Sequence, residues 1–568
     1  NTVTGLTYEG KPWVLAYDRM GIPSCTLCEN KEYGSALFAS DCDAASLRSA
    51  CSLIKDDDGT FRQRIFHPVT EAPVSYTNKR ILTERYDEYT TLKNGENVTE
   101  VMYVFACVPM YENYAAANLL DRAADVFDLS LKECLTAKQV WDLGISFAKA
   151  LLYDYKGHKM IISHFAPRLF RSQHGAAVTG EEMAKRLKDP YYTELGRFDE
   201  RFEIGWADQG LLNARMIAVD AHEKGDKKMF DIAVGIFDSW AEKQQENGLI
   251  RTQFQHYYGD NTYKPSSPDV CNLGWGAAEM ARMYTYLKSL GIDKPEYKEF
   301  AVRIADFFCD NYSDEFAFGK AWTLEGECEV KLGTIGGFMM LGILETYLVT
   351  GNKKYLETAI KASDFYYARD LDNFTCTAGA LDCMSIDKET AYPFINGSII
   401  LYEETKDEKY LERAKKAAYF FFSWGFHYDC LYPAESEFTK FGYHTKGGTA
   451  ISVEHHAIDS WGSAAVPGFL MLAKYTGDER WAKRAQIMWA NAIQGITSYE
   501  GQKTHGQVRP LGGQNEGFFH CRWTKYRPTC EDRGHFNDCL PGWVSAYRMM
   551  TIYDNATKET VHTAFLDK

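Results

Sequence analysis

From about residue 136 onward the chain repeats one unit: a long loop, an apolar helix rich in Gly and Ala, a tight turn, and an amphipathic charged helix. A unit recurring every roughly 60–90 residues decides the architecture before any single residue does, because each copy leaves an apolar face that only its neighbours can cover. The turns are the clearest part: Glu223-Lys224-Gly225-Asp226-Lys227, Thr350-Gly351-Asn352-Lys353-Lys354, Thr405-Lys406-Asp407-Glu408-Lys409 and Thr476-Gly477-Asp478-Glu479-Arg480. Each stops one helix with Gly or a charged pair and caps the next with Asp or Asn, so that terminal carbonyls and amides both find partners.

The two helices of a unit differ in kind. Residues 334–349 and 458–475 are apolar nearly all round, which marks buried helices. Their partners, 355–367 and 409–422, carry charge on one face and aromatics on the other. Inner helices are expected to begin near 204, 272, 334, 389 and 457. A sixth spans 541–554, and the early helix at 136–155 can supply its outer partner. The expectation is therefore a mainly α protein, an (α/α)6 toroid over 131–568, closed where the helix at 136–155 meets the one at 541–554. A linear solenoid would not need inner helices this apolar.

Residues 1–130 read as an antiparallel, sandwich-like β domain. Runs such as Trp13-Val14-Leu15-Ala16-Tyr17, Gly34-Ser35-Ala36-Leu37-Phe38 and Val101-Met102-Tyr103-Val104-Phe105 lie between Gly, Asp and Asn clusters, with no long helical period.

The net charge of -15 argues against nucleic acid, since binding a polyphosphate needs a basic face. No run of 18 apolar residues is present, so no membrane span is expected. The chain opens Asn1-Thr2-Val3 without the basic and apolar regions of a signal peptide, and a start other than Met indicates trimming. Fifteen scattered cysteines in a chain this long point to buried thiols and a reducing compartment, the cytoplasm, with the periplasm or the outside as alternatives if a leader has been removed. Cys25-x2-Cys28 with Cys42 and Cys51 is too irregularly spaced to read as a zinc site, and Cys521, Cys530 and Cys539, nine apart near His520 and His535, are a poor metal reading as well. No phosphate loop or nucleophile elbow is present. Neither metal nor cofactor is expected.

Short turns join inner to outer helices and long loops return to the next inner helix, so the long loops gather above the inner-helix N-termini, where function concentrates. Trp206, Trp275, Trp461 and Trp543 each stand at an inner-helix start. Four of 12 Trp at equivalent places are expected to line a central pocket by stacking on sugar rings, with plugging of the ring as the alternative. Carboxylates share the positions: Asp208 in the opening turn of the first inner helix; Asp382, Asp387 and Glu389 before the fourth; Glu454 and Asp459, with His455 and His456, before the fifth. Glycoside hydrolysis uses one carboxylic acid to protonate the leaving oxygen and one carboxylate to activate water or attack, although acidic residues there are also ordinary caps. Asp387 or Glu389 is expected in one role and Glu454 or Asp459 in the other. Asp208 would orient substrate, and His455 and His456 would bind hydroxyls. Groups on separate helices suit the wider spacing of an inverting mechanism. The last long loop gathers His505, Arg509, His520, Arg522, Arg527, Arg533 and His535, and Arg509, Arg522 and His535 are the candidates to read a sugar carboxylate.

A β domain followed by inner–outer hairpins, with Trp and carboxylates at inner-helix starts, resembles the six-hairpin glycosidase superfamily. The domain order and the basic terminal loop are similar to glycoside hydrolase family 154, a resemblance that implies β-glucuronidase activity on a carbohydrate partner. The zinc and adjacent cysteine pair of the related β-L-arabinofuranosidases have no counterpart here. Two other readings stand beside hydrolysis: a polysaccharide lyase with Tyr443, His455 or His456 as base, and a sugar epimerase or glycan-binding ring.

Overall fold

The computed structural model describes residues 5–40, 48–77, 80–82, 86–155, 157–165, 169–171, 177–179, 201–255, 268–379, 384–453, 457–504, 507–519, 534–537, 539–558 and 564–566. Twelve helices pair as the repeat requires. The inner ones are α3 (Gly210–Glu223), α5 (Val270–Ser289), α7 (Gly337–Thr350), α9 (Ala391–Thr405), α12 (Gly462–Thr476) and α14 (Gly542–Thr557). Their outer partners are α4 (Lys227–Ala241), α6 (Pro295–Asp310), α8 (Lys353–Arg369), α10 (Glu408–Phe422), α13 (Glu479–Ala492) and, from the start of the chain, α2 (Ala137–Ala150). Each inner helix packs on the next, and α14 packs back on α3 and on α2, so the ring closes by joining its ends. A linear solenoid is excluded by that seam. At Gly144 of α2 an added Cβ would stand 2.8 Å from Met549 of α14, so the two ends of the ring meet tightly.

The predicted turn chemistry operates as expected. Asp226, Asn352, Asp407 and Asp478 accept from the amides of Met229, Lys354, Lys409 and Arg480 at the starts of the outer helices. Four inner helices begin at least two residues later than the sequence suggested, at Gly210, Gly337, Ala391 and Gly462, because the segments before them form short turns and strands rather than first helical turns. Asp208 precedes α3 and Asp459 sits in the two-residue strand Ile458–Asp459.

Inner helices are apolar all round because both of their sides are dry. Close approach is carried by glycine: an added Cβ at Gly274 on α5 would lie 2.2 Å from the Phe338 carbonyl oxygen on α7. The bore is filled in layers. An aromatic layer comprises Trp275, Phe338, Tyr392, Trp461, Trp543 and Tyr547, with Trp275 stacked on Tyr392 at 5.4 Å. One turn further along α5, Glu279 binds Arg215 of α3 at 2.7 Å and Arg282 at 2.7 Å, and Arg282 continues to Glu345 of α7 at 2.5 Å. Burial pushes the Glu279 carboxyl up, but the two guanidiniums outweigh it and leave Glu279 below its ordinary range.

The N-terminal part carries two three-stranded antiparallel sheets. One orders Leu15–Ala16, Ala50–Lys55 and Phe61–Phe66; the other orders Met102–Cys107, Gly34–Ala39 and Thr26–Glu29. Gln63 links them, its amide donating to the carbonyls of Thr26 and Ser35. Inside the span read as β lies a helix, α1 (Ala115–Val126). Its apolar face of Ala115, Ala117, Leu119, Leu120 and Ala123 is only three turns long, too short to stand out as a period. It fastens this part to the ring: Asp121 takes Arg480 at 2.6 Å and Arg484 at 2.5 Å, and the Tyr114 hydroxyl donates to Leu371 at 2.6 Å. No helix among the described residues is long and apolar enough to cross a membrane.

Gly274→Ala should lower stability by ~1–3 kcal/mol, because the methyl must displace the α7 backbone. Gly235→Ala on α4, where an added Cβ meets nothing within 4 Å, should raise it by ~0.5–1 kcal/mol through helix propensity. Thermal unfolding of the two variants checks this, and equal shifts would mean that the inner helices are not in backbone contact.

Candidate active site

The segment before α9 is built onto the segment before α12. Ile386 accepts from the Val453 amide at 3.1 Å, Asp387 bridges Ser452, and the Lys388 amide reaches Ile451 O at 3.4 Å. Asp387 then folds back, its Oδ1 accepting from the Glu389 amide at 2.7 Å. Gly379 lies directly against that carboxylate: an added Cβ would stand 2.4 Å from Asp387 Oδ1, so only glycine fits. This turn aims Glu389 into the ring.

Glu389 is buried, 5 % exposed, and Oε2 has no hydrogen-bond partner among the described residues. The Trp206 side chain lies beside the carboxyl and slightly favours its ionised form. Trp206 precedes the first inner helix and Glu389 the fourth, so the two loops approach across the ring. Burial above all, then the charge of Asp387, pushes the Glu389 carboxyl well above its ordinary range; Lys388 opposes the rise and Asp459 adds to it. A carboxyl so placed stays protonated where an ordinary one has ionised.

The facing loop is strained. Trp206 has φ 35° and Gln209 φ 47°, both left-handed for residues with side chains, at a cost of ~1–3 kcal/mol each. The loop is pinned on three sides. Gly205 N donates to Asn272 at 3.0 Å, Asn213 donates to Asp208 O at 3.0 Å, and Gln209 donates to the Tyr547 hydroxyl at 2.8 Å. Asp208 is thereby held fully buried, two residues from the Trp206 that touches Glu389. Behind it Glu203, Gln253, Asn272, Asp269 and Thr252 form a buried network, in which Asn272 donates to Glu203 at 2.8 Å and Thr252 to Asp269 at 2.9 Å.

Lys388 was not legible as a site residue. A lysine between two carboxylates reads as a solvated charge, yet here it is 0 % exposed with Nζ 2.7 Å from Asp459 Oδ2. The available signal was three charged residues in a row directly before a buried helix. Asp459 also accepts from Thr449 Oγ1 at 3.2 Å and the Trp461 amide at 3.1 Å. Burial raises the Asp459 carboxyl, and Lys388 with these donors holds it back.

The four tryptophans divide. Trp206 meets the carboxyl, whereas Trp275, Trp461 and Trp543 are 1 %, 3 % and 5 % exposed and belong to the aromatic layer, where they form the floor of the site rather than its walls. The last long loop is brought to the site's edge: Gly517 pairs with Asp459 in a sheet that orders Thr449–Ala450, Ile458–Asp459, Gly517–Phe519 and His535–Phe536. Arg509 is 4 % exposed and donates to Asn515, two residues before Gly517, at 2.7 Å. His535 instead turns to the other edge, 3.5 Å from Glu437 of the short helix α11 (Glu437–Phe441). Glu454, His455, His456, Asp382, His505, His520, Arg522, Arg527 and Arg533 lie outside the described residues. Among the described residues, no group of three or more His, Cys, Asp or Glu side chains is placed to hold a metal ion.

No protein-family model matches the chain, and no curated protein matches it. Similar solved structures include a D-mannose isomerase, 11% identical with a TM-score of 0.49, covering 74% of this chain and 97% of that one. A family 76 α-mannanase from Bacteroides thetaiotaomicron is 13% identical with a TM-score of 0.44, covering 75% and 97%. An unsaturated glucuronyl hydrolase from Streptococcus agalactiae is 13% identical with a TM-score of 0.44, covering 74% and 92%. At these values the reading of the site rests on its own residues.

The raised Glu389 carboxyl has a consequence for stability. A group whose folded-state proton affinity is raised contributes stability that is complete below the ordinary carboxylate range and is lost as pH rises through the folded value. Gln matches Glu in shape and cannot ionise. Melting curves of Glu389→Gln and the parent should converge at acid pH and separate in favour of the variant as pH rises. Parallel curves would show that Glu389 is not held protonated.

Proposed function

We propose that the chain is a glycoside hydrolase that removes a terminal sugar with inversion, Glu389 acting as general acid and Asp208 as general base. The observation that carries this reading is the buried carboxyl of Glu389 beside Trp206, whose Oε2 has no partner among the described residues. Such a group keeps its proton to higher pH than an ordinary carboxyl and can give it to a leaving oxygen. Asp459 is committed to Lys388, Thr449 and Trp461, which makes it a strut, and Asp387 is committed to the Glu389 amide while its charge keeps the acid protonated.

The reaction follows from these placements. With a sugar seated on the aromatic floor, Glu389 transfers its proton to the glycosidic oxygen as the bond from C1 to that oxygen breaks, and becomes a carboxylate. Positive charge spreads over C1 and the ring oxygen. A water on the opposite face gives its proton to Asp208 while its oxygen bonds to C1. The free sugar leaves with the opposite anomeric configuration. Acid and base stand on loops from opposite sides of the ring, which suits the ~6.5–9.5 Å that an inverting pair needs for the intervening water. The aromatic and ionic layers stop the bore below the site, so a chain end can enter and a chain middle cannot thread through.

The finer reading is a uronide, in line with the resemblance to the six-hairpin glycosidases and family 154. It is supported by Arg509, a guanidinium two residues' reach from the strand that pairs with Asp459. The lyase alternative loses one of its bases: Tyr443 donates to Asn491 at 3.4 Å, stacks on Phe518 at 4.8 Å, and burial pushes its phenol well above the ordinary value.

Aryl glycosides test the assignment. Glu389→Gln should lose ~10²-fold or more on a poor leaving group and far less on a dinitrophenol, which needs no proton. Asp208→Asn should lose ~10²-fold or more on both. If Glu454→Gln behaves as expected of the base while Asp208→Asn stays active, the base assignment is wrong. For the uronide, Arg509→Gln should cost ~1.5–3 kcal/mol on a uronide and little on its neutral counterpart, and equal losses would reject the charge-reading role.

A further inference from the structure

We propose that Lys388 is a positioning residue that acts through Glu389, its ammonium, locked to Asp459, strengthening Glu389 as an acid so that the proton it holds can be given up. The inference rests on the reading of Glu389 as the general acid and adds the element that sets how readily the proton leaves.

The argument begins from geometry. Lys388 is wholly buried, and its Nζ lies 2.7 Å from Asp459, which is itself 2 % exposed. The pair is fixed at both ends: Lys388 by the zipped backbone of residues 386–388 and 451–453, Asp459 by Thr449, the Trp461 amide and its pairing with Gly517. A buried pair of this kind adds little net stability over a well-packed apolar pair, because desolvation of both ions offsets their attraction. Its presence directly beside the acid asks for another reason.

Charge bookkeeping supplies one. Three carboxyl groups, Asp387, Glu389 and Asp459, share one low-dielectric space with one described ammonium. Among the described residues, the other groups that face Glu389 are Trp206 from the first loop, Cys271 from α5 and Tyr547 from α14, and burial holds the last two neutral. Asp459 is faced by Lys388, Thr449 and Tyr443, the last also neutral. Without Lys388, two carboxylates would crowd Glu389 and its proton would be held too tightly to reach a leaving oxygen. With Lys388, the charge of Asp459 is offset and the hold on the Glu389 proton is weakened by that much.

The test is infrared titration of the Glu389 carboxylic acid, identified in each background by difference against Glu389→Gln, beside thermal unfolding. In Lys388→Met the Glu389 proton should be lost at higher pH, by about 1 unit or more for a neighbouring charge removed. Lys388→Arg should return it close to the parent, and so should Lys388→Met with Asp459→Asn, which removes both charges and leaves no buried ion to unfold the chain. On an aryl glycoside with a poor leaving group, the alkaline limb of kcat should follow the same order. If the variants melt differently while Glu389 titrates at one pH in all of them, Lys388 is structural only and the inference is overturned. If the parent shows no protonated Glu389 at neutral pH, the acid assignment itself falls, and this inference with it.

Discussion

Closure of the ring by α2 against α14 governs everything above it. A solenoid of the same hairpins would leave one side of each inner helix facing water. Joined end to end, the inner helices face a bore that water does not fill. Polar and charged groups at its mouth therefore lie in a low-dielectric space, where each charge is felt strongly and each unpaired polar atom is costly. The filling of the bore follows the same rule: aromatic rings where no polar partner is at hand, then Arg215, Glu279, Arg282 and Glu345 in a network where every carboxylate has a guanidinium. Trp206 and Glu389 come together only because the first and fourth loops face one another across a closed circle.

The same environment explains why stability and chemistry draw on one set of residues. The burial that raises the Glu389 carboxyl also makes its ionisation destabilising. The loop of Trp206 and Gln209 holds two left-handed backbone conformations that no helix or sheet demands, and it is pinned by Asn213 of the helix it enters and by Asn272 and Tyr547 from two other inner helices. Strain maintained by that many neighbours marks a place where geometry is worth more than ease of folding. Lys388 and Asp459 repeat the pattern with charge in place of backbone strain.

Much of the fold was legible in the sequence, because helix pairing rests on local chemistry. The Asp and Asn caps, the glycine stops and the contrast between all-round apolar and amphipathic helices each depend on residues close in the chain. The seam between α2 and α14, more than 390 positions apart, followed from counting inner helices and finding one without an outer partner. Asp208, Asp387, Glu389 and Asp459 stood out because carboxylates repeat at equivalent places, and all four are buried. What was not legible depends on pairing between loops. The strand-like contacts of 386–388 with 451–453 bury Lys388 and convert Asp459 from a candidate acid to its partner. Nor could the pattern of Trp at helix starts separate Trp206, which reaches the carboxyl, from Trp275, Trp461 and Trp543, whose deeper register makes them floor. Helix α1 escaped notice for a different reason, being too short for its period to stand out among strands.

The account's central claim is that an acid on the fourth loop and a base on the first act from opposite sides of one sugar. Proton nuclear magnetic resonance of the anomeric signal during the first turnovers on an aryl uronide measures this directly. The account predicts that the first sugar released carries the configuration opposite to the substrate and only later equilibrates. A first product with the substrate's own configuration would contradict it, as would an unsaturated sugar.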